Sequence, residues 1–405
     1  MNDTSATITA VRYNDTIMLL LLLLITALGQ VAVDIYLPSM PSMQAALGTS
    51  KEYIQLTLTV YTVGFGVSQL FYGPLSDRFG RRNLLLFGMA LSAIASLGCA
   101  LTSSIGGLIT YRLIQGVGAG AASVLTRAIL RDCYSGAQMS RIGGYMSIAW
   151  SLVPMIAPVL GSYIQTYIGW RGNFIFLIIF ISITLLLTLR WLPDTNYNKR
   201  IDTLHPLAII KNYWRVLTDK TAMRFTIGPM VTFGCMLSYI TASPFLLQTD
   251  LGYSPVAFVW LSLLVSMSYL AGNLVNTRLL SRFEKMHLIR CGIILNAIGA
   301  VSMALLSLMG FFNVYTIIIP ACIMIFSGGF LFANCMTSAM TPFINIAGTA
   351  AAIIGTVQML GASAASGIVS QLPFSTPLPL SLLLVTLSCI LALAVFNLKV
   401  PQHGK

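Results

Sequence analysis

Two charged residues lie deep inside apolar runs of this chain, and proton chemistry has to start from them. Asp34 follows Gly29-Gln30-Val31-Ala32-Val33, and Arg112 lies between Ile109-Thr110-Tyr111 and Leu113-Ile114. Burial disfavours the charged form of a carboxyl group, and a nearby cation favours it. A carboxylate and a guanidinium that approach and part can therefore bind and release a proton. The alternative is a static buried ion pair. Gln30 lies one helical turn before Asp34 and Gln115 one turn after Arg112, so each shares a face with its charge. Little else in the sequence offers chemistry. His205, His287 and His403 are far apart, and Cys99, Cys235, Cys291, Cys322, Cys335 and Cys389 sit in apolar runs, with Cys133 in a short basic loop. Neither set has metal-ligand spacing. There is no HExxH, no pair of deep carboxylates and no Ser-His arrangement, so the sequence implies no enzyme, no metal and no cofactor.

The elements around these charges are apolar to an unusual degree. Of 405 residues, 57% are hydrophobic and 8% charged, against roughly 25% charged in ordinary soluble domains. Such a chain cannot cover a soluble surface. Stretches of about 20 apolar residues, enough to cross a bilayer, fall at 17–39, 52–72, 83–103, 106–128, 141–163, 172–192, 222–245, 255–277, 288–310, 314–338, 348–370 and 379–398. These are spans 1 to 12. The first is too long and too weakly charged at its start to be a cleaved signal. Asp34 lies five residues before the end of span 1, and Arg112 six residues after the start of span 4. At 1.5 Å per residue both sit roughly 8–9 Å below the same face.

Charge sets the orientation. Apart from Lys51, Arg171 and the embedded Arg112, every Lys and Arg falls on the side that carries both termini. Basic residues concentrate in cytoplasmic loops, so both termini are expected in the cytoplasm of an inner-membrane protein. The net charge of +12 thus records orientation and implies no nucleic acid. Segment 193–221 is the longest polar stretch after span 1, with Lys199, Arg200, His205, Lys211, Trp214, Arg215 and Lys220. It reads as a cytoplasmic linker, partly an amphipathic surface helix, between a half at 1–192 and a half at 222–405. A faint repeat agrees: Leu75, Arg78, Phe79 and Arg81 recur as Leu279, Arg282, Phe283 and Lys285, and Pro38 matches Pro244. Two parallel halves around a midplane cavity is a recurring transporter plan.

Between spans 2 and 3 stands Gly73-Pro74-Leu75-Ser76-Asp77-Arg78-Phe79-Gly80-Arg81-Arg82. The glycines permit tight turns, and Asp77 can cap the next helix or pair with arginines. Such pairs suit a cytoplasmic gate that is made in one state and broken in another. Arg131-Asp132, at the end of span 4, belongs to the same rim. The string resembles the signature loop of the major facilitator superfamily. Arg112-Leu113-Ile114-Gln115-Gly116-Val117-Gly118 is similar to that family's span-4 motif. Pro154, Ala157-Pro158 and Leu160-Gly161-Ser162 resemble the antiporter motif of its exporters, with Ala157 and Ser162 in place of two glycines. With Asp34-Ile35-Tyr36-Leu37-Pro38, Ser243-Pro244-Phe245 and Ala347-Gly348-Thr349-Ala350, these motifs resemble the Bcr/CflA and EmrD-type twelve-span drug:proton antiporters along nearly the whole chain. Gly116-x-Gly118-x-x-Ala121 also imitates a dinucleotide fingerprint, but it lies inside a span with no preceding strand. Helix packing through Gly116 and Gly120 fits better.

The resemblance implies an all-α membrane protein with the major facilitator fold, twelve helices in two pseudo-symmetric six-helix bundles around a central cavity. It implies a monomer that moves small molecules by alternating access, with protons as the driving partner and Asp34 and Arg112 as the coupling residues. Relatives that export organic cations carry a further membrane acid, whereas residues 291–398 here contain no charged residue. Neutral, zwitterionic and weakly acidic substrates are therefore equally open. Polar or adaptable cavity candidates on the spans are Gln30, Tyr61, Gln115, Met146, Tyr239, Asn273, Asn276, Asn334 and Gln358. Export is the leading expectation. Uptake by a symporter or facilitator of the same fold is the alternative, and a channel, which needs a continuous polar lining, is disfavoured.

Overall fold

The structure is a computed structural model that describes residues 15–195, 206–372 and 376–398. Arg12, Asn2, Asn14, Lys199, Arg200, His205, His403 and the tail from Lys399 lie outside the described residues. Twelve helices among the described residues are long and apolar enough to cross a membrane. They are Asp15–Leu47, Lys51–Phe79, Arg81–Leu101, Ile105–Cys133, Gly136–Tyr167, Trp170–Trp191, Lys220–Asp250, Pro255–Leu279, Lys285–Leu308, Val314–Phe343, Ala347–Gln371 and Leu378–Val395. A helix satisfies its backbone internally, which apolar surroundings demand. The chain is accordingly all-α, in two six-helix bundles. One core is built by spans 1–6 and takes in Leu237, Phe245, Met359 and Ala362 from spans 7 and 11. The other is built by spans 7–12.

Several spans run further than their apolar stretches. Span 4 continues to Cys133 because the face carrying Leu125 and Ile129 stays buried while Arg127 and Arg131 turn outward. Span 2 continues through Phe79, so most of the signature string is helix and not loop. The turn is the single residue Gly80, at φ 93°, a backbone conformation that favours glycine. Asp77 therefore does not cap span 3. It pairs with Arg81 one turn on, at 2.6 Å. Pro74 within this helix has no N–H, so the carbonyl of Leu70 loses its helical donor. The Tyr213 hydroxyl donates to that carbonyl at 2.8 Å. Tyr213 belongs to the helix Pro206–Thr218 in the expected linker, where Val216 is buried and Ile210, Trp214 and Leu217 are exposed.

Span 1 departs from a single helix at Asp34. Its α-helix runs Asp15–Asp34, followed by a 3-10 turn at Leu37–Ser39 and a short helix at Met40–Leu47. Pro38 cannot donate to the carbonyl of Asp34, and Pro41 starts the new helix in the manner proline favours. Span 7 breaks at the matching place: its α-helix ends at Pro244, and a π-helical turn follows over Phe245–Asp250. The broken ends lie on the face opposite the start of span 1 and the end of span 12.

Candidate transport site between the two bundles

Asp34 is buried, and its Oδ2 accepts from Gln30 Nε2 at 2.8 Å across one helical turn. Both residues line a cavity between the bundles. Span 5 contributes Trp150, Ser151, Pro154 and Pro158 to its wall. Span 7 contributes Phe233, Met236, Tyr239, Ile240 and Ser243, and span 8 Phe258, Ser266 and Tyr269. Asp34 is the one formally charged residue in this wall. Asp34 and Ser243 line the cavity directly beside the breaks that end the α-helices of spans 1 and 7. A smaller cavity shares Gln30, Trp150, Phe233, Met236 and Ile240 and adds Tyr61, Phe65 and Met359.

Arg112 does not pair with Asp34: among the described residues no salt bridge joins them. It is fully buried behind the cavity, with its guanidinium carbon 4.3 Å from the ring centroids of both Tyr36 and Tyr61. Arginine lies readily over aromatic faces, and desolvation strengthens the attraction. Its Nη1 donates to the Ala32 carbonyl at 3.0 Å and to Gln115 Oε1. Gln115 Nε2 in turn donates to Ser96 Oγ at 2.7 Å, while Tyr61 Oη donates to the Gly29 carbonyl at 2.8 Å. Span 4 can come this close to span 2 because a Cβ at Gly116 would overlap the Tyr61 carbonyl. The depth match from helical rise thus yields neighbouring elements and two separately held charges.

The other expected residues divide. Gln30 and Tyr239 line the main cavity, and Tyr61 the smaller one. Gln115 serves Arg112. Asn334 donates to Asn276 Oδ1 at 2.8 Å and to the Phe330 carbonyl, fastening span 10 to span 8. Met146 is packed in the core of the first bundle. Gln115, Met146, Asn273, Asn334 and Gln358 line neither cavity. Pro154 and Pro158 do line it, and Gly161 packs so close to Ile35 that a Cβ would overlap the Ile35 carbonyl. The span-5 motif therefore meets the broken end of span 1. The sequence reading missed Trp150, Phe233, Met236, Phe258 and Tyr269, since aromatic and Met residues are indistinguishable from lipid-facing or core residues without a cavity. Tyr36, two residues after Asp34, was the one legible signal for the aromatic cage.

At the face that carries the chain ends, Arg81 gathers three acids. Its Nη1 reaches Asp77 at 2.6 Å, its Nε reaches Asp132 at 3.1 Å, and its backbone N–H donates to Asp194 at 3.1 Å. Gly80 is needed here a second time, since a Cβ would strike the Asp194 carboxylate. Gly73 leaves its carbonyl to the Ser76 hydroxyl. Arg78 is exposed, over the Phe79 ring. Arg131 approaches Gly348 at the start of span 11, across the bundles. Asp194 was not anticipated; its place directly after Leu192-Pro193, where the chain leaves span 6, is the only hint.

Two pseudo-symmetric helical bundles around a central cavity define a membrane transporter. The comparisons agree, and the chain belongs to the Major Facilitator Superfamily, whose sequence pattern matches residues 22–366. It is 28% identical over 383 residues to Multidrug resistance protein D of Escherichia coli (strain K12), covering 94% of this chain and 95% of that one. It is 30% identical over 388 residues to a chloramphenicol resistance protein of Pseudomonas aeruginosa, covering 94% and 90%. The crystal structure of a D-xylose-proton symporter superposes with a TM-score of 0.77 over 95% of this chain and 97% of that one, at 17% identity, which speaks for the fold. The protein is a multi-pass membrane transporter and not an enzyme.

Proposed function

We propose that this transporter exports small amphipathic molecules across the inner membrane in exchange for protons, by alternating access of a half at 1–192 and a half at 222–405 joined by the linker 193–221, with both termini in the cytoplasm. The observation that carries the reading is Asp34, a lone carboxylate in an otherwise uncharged cavity wall. Its charge can be cancelled by a proton or answered by a substrate's polar or cationic group, and the two then compete for one site. The apolar body of the substrate packs on Phe233, Met236 and Phe258, with Gln30 and Tyr239 as hydrogen-bond partners. The rings of Tyr36 and Tyr61 hold Arg112 behind the cavity without tying up the carboxylate. Drug and chloramphenicol resistance in the relatives' names supports export. Each proton moved inward releases about 2.3 kcal/mol per 100 mV, besides any pH gradient.

Inverted membrane vesicles with radiolabelled chloramphenicol test this. The wild type is expected to concentrate the drug only when the vesicle interior is acidified, and Asp34→Asn to bind it without concentrating it. Undiminished uphill uptake by Asp34→Asn overturns the coupling role. Accumulation driven only by an alkaline interior marks symport and overturns export.

A further inference from the structure

Pro74 strands a carbonyl in span 2, and the group that answers it comes from outside the bundle. The structure places the Tyr213 hydroxyl 2.8 Å from the Leu70 carbonyl, the acceptor left without a donor because residue 74 has no N–H. Tyr213 is carried by the linker helix, whose Val216 is buried in the core of spans 7–12. The bond therefore joins the second bundle's periphery to the first bundle's span 2. One turn away, the Thr356 hydroxyl of span 11 donates to the Gly66 carbonyl at 3.0 Å. Two hydroxyls from the second bundle's side thus land on one row of span-2 carbonyls. The linker helix itself has a fixed seat: exposed Ile210, Trp214 and Leu217, with Lys211 and Arg215 beside them, suit a bilayer surface. Burial raises the Tyr213 phenol above its ordinary value, so the hydroxyl keeps the proton it donates.

We infer that Tyr213 is a positioning residue of the transport cycle, in which the linker helix supplies the missing donor at the Pro74 break and so sets the balance between the two arrangements of the bundles. A bundle that rocks must lengthen or remake this bond, and an unpaired carbonyl in an apolar setting is costly. The inference rests on the alternating access proposed above.

The experiment reads that balance with no proton gradient and no substrate. Spin labels replace exposed Gln138 and Ser281, at the chain-end side of spans 5 and 8, in protein whose native cysteines are replaced, reconstituted in lipid nanodiscs. Double electron–electron resonance gives the ratio of near to far label pairs. Tyr213→Phe, which removes only the oxygen, is expected to change that ratio by about five-fold, as loss of one hydrogen bond implies. In a Pro74→Ala background, where residue 74 regains the N–H for Leu70, the same substitution is expected to change it by less than about two-fold. An unchanged ratio in Tyr213→Phe overturns the inference. So does an equal shift in both backgrounds, or a lower thermal midpoint with the distances unmoved, which marks a structural brace. None of these outcomes bears on Asp34, whose test is transport.

Discussion

Asp34 stands four residues before Pro38, and Ile240 stands four residues before Pro244. Both follow the same scaffold to a broken helix, and both line one cavity. One is a carboxylate and the other a hydrocarbon. The difference extends through the bundles. Behind Asp34 lies a buried cation between two tyrosine rings. The second bundle's deep polar groups are neutral: Asn296 donates to Ser327 at 3.3 Å and accepts from Ser388 at 2.6 Å, and Asn334 pairs with Asn276. The loops repeat the contrast. Arg81 meets three acids, whereas Lys285 donates to the Thr337 hydroxyl at 3.4 Å and forms no salt bridge among the described residues. A pseudo-symmetric scaffold thus carries its charge chemistry in one half and leaves the other as an uncharged wall.

Substitutions at matched places sharpen or break this comparison. Asp34→Asn is expected to lower uphill vesicle transport on the order of 100-fold, the scale of losing a proton-transferring group. Ile240→Ala, which trims apolar contact only, is expected to stay within about five-fold. Similar losses from both would place the chemistry in the cavity shape and not in the charge. Next in size is transport through the chain-end cluster. Arg81→Gln is expected to slow initial rates by roughly ten-fold by releasing Asp77 and Asp132, and Lys285→Gln by less than about two-fold. Equal slowing would show that the second loop gates as strongly as the first. The smallest contrast is in stability. Arg112→Lys loses the flat guanidinium that both rings cover and is expected to cost about 3 kcal/mol in thermal unfolding in detergent. Asn296→Ala, a neutral loss, should cost about 1–2 kcal/mol. The reverse order would mean that the neutral network, not the caged cation, fastens its bundle.

The sequence carried the architecture well, because twelve apolar stretches and their flanking charges are one-dimensional signals. Asp34, Arg112 and the motif string were legible for the same reason: a charge in an apolar run stands out wherever the run folds. Their relationship was not. Equal depth left open a pair or two charges acting on one cavity; the structure holds Arg112 between two tyrosines and apart from Asp34, and rotation about a helix leaves little trace in spacing. Asp77 shows the same limit. Its capping role assumed that span 2 ended at residue 72, but the helix runs through Pro74 to Phe79, and Tyr213 donates to the carbonyl that Pro74 leaves without a helical donor. The apolar cavity wall was illegible, since Trp150 or Phe258 reads identically whether it faces lipid, core or substrate.

Buried neutral groups join the halves in the membrane interior, while Lys51 of span 2 and Asp250 of span 7 meet electrostatically at the ends of their spans. Gln55 donates to the Thr241 carbonyl at 3.0 Å, Thr59 meets Ser366 at 3.0 Å, and the Ser363 hydroxyl donates to Thr62 at 2.8 Å. Parting such dipoles displaces no net charge through the membrane field. Voltage therefore has little grip on these buried dipoles, whereas dissolved salt can screen the Lys51–Asp250 contact at the span ends. On the proton exchange proposed above, the electrical work of a cycle would fall on the charge at Asp34, so a membrane potential would speed or slow the carrier according to the occupancy of that carboxyl group.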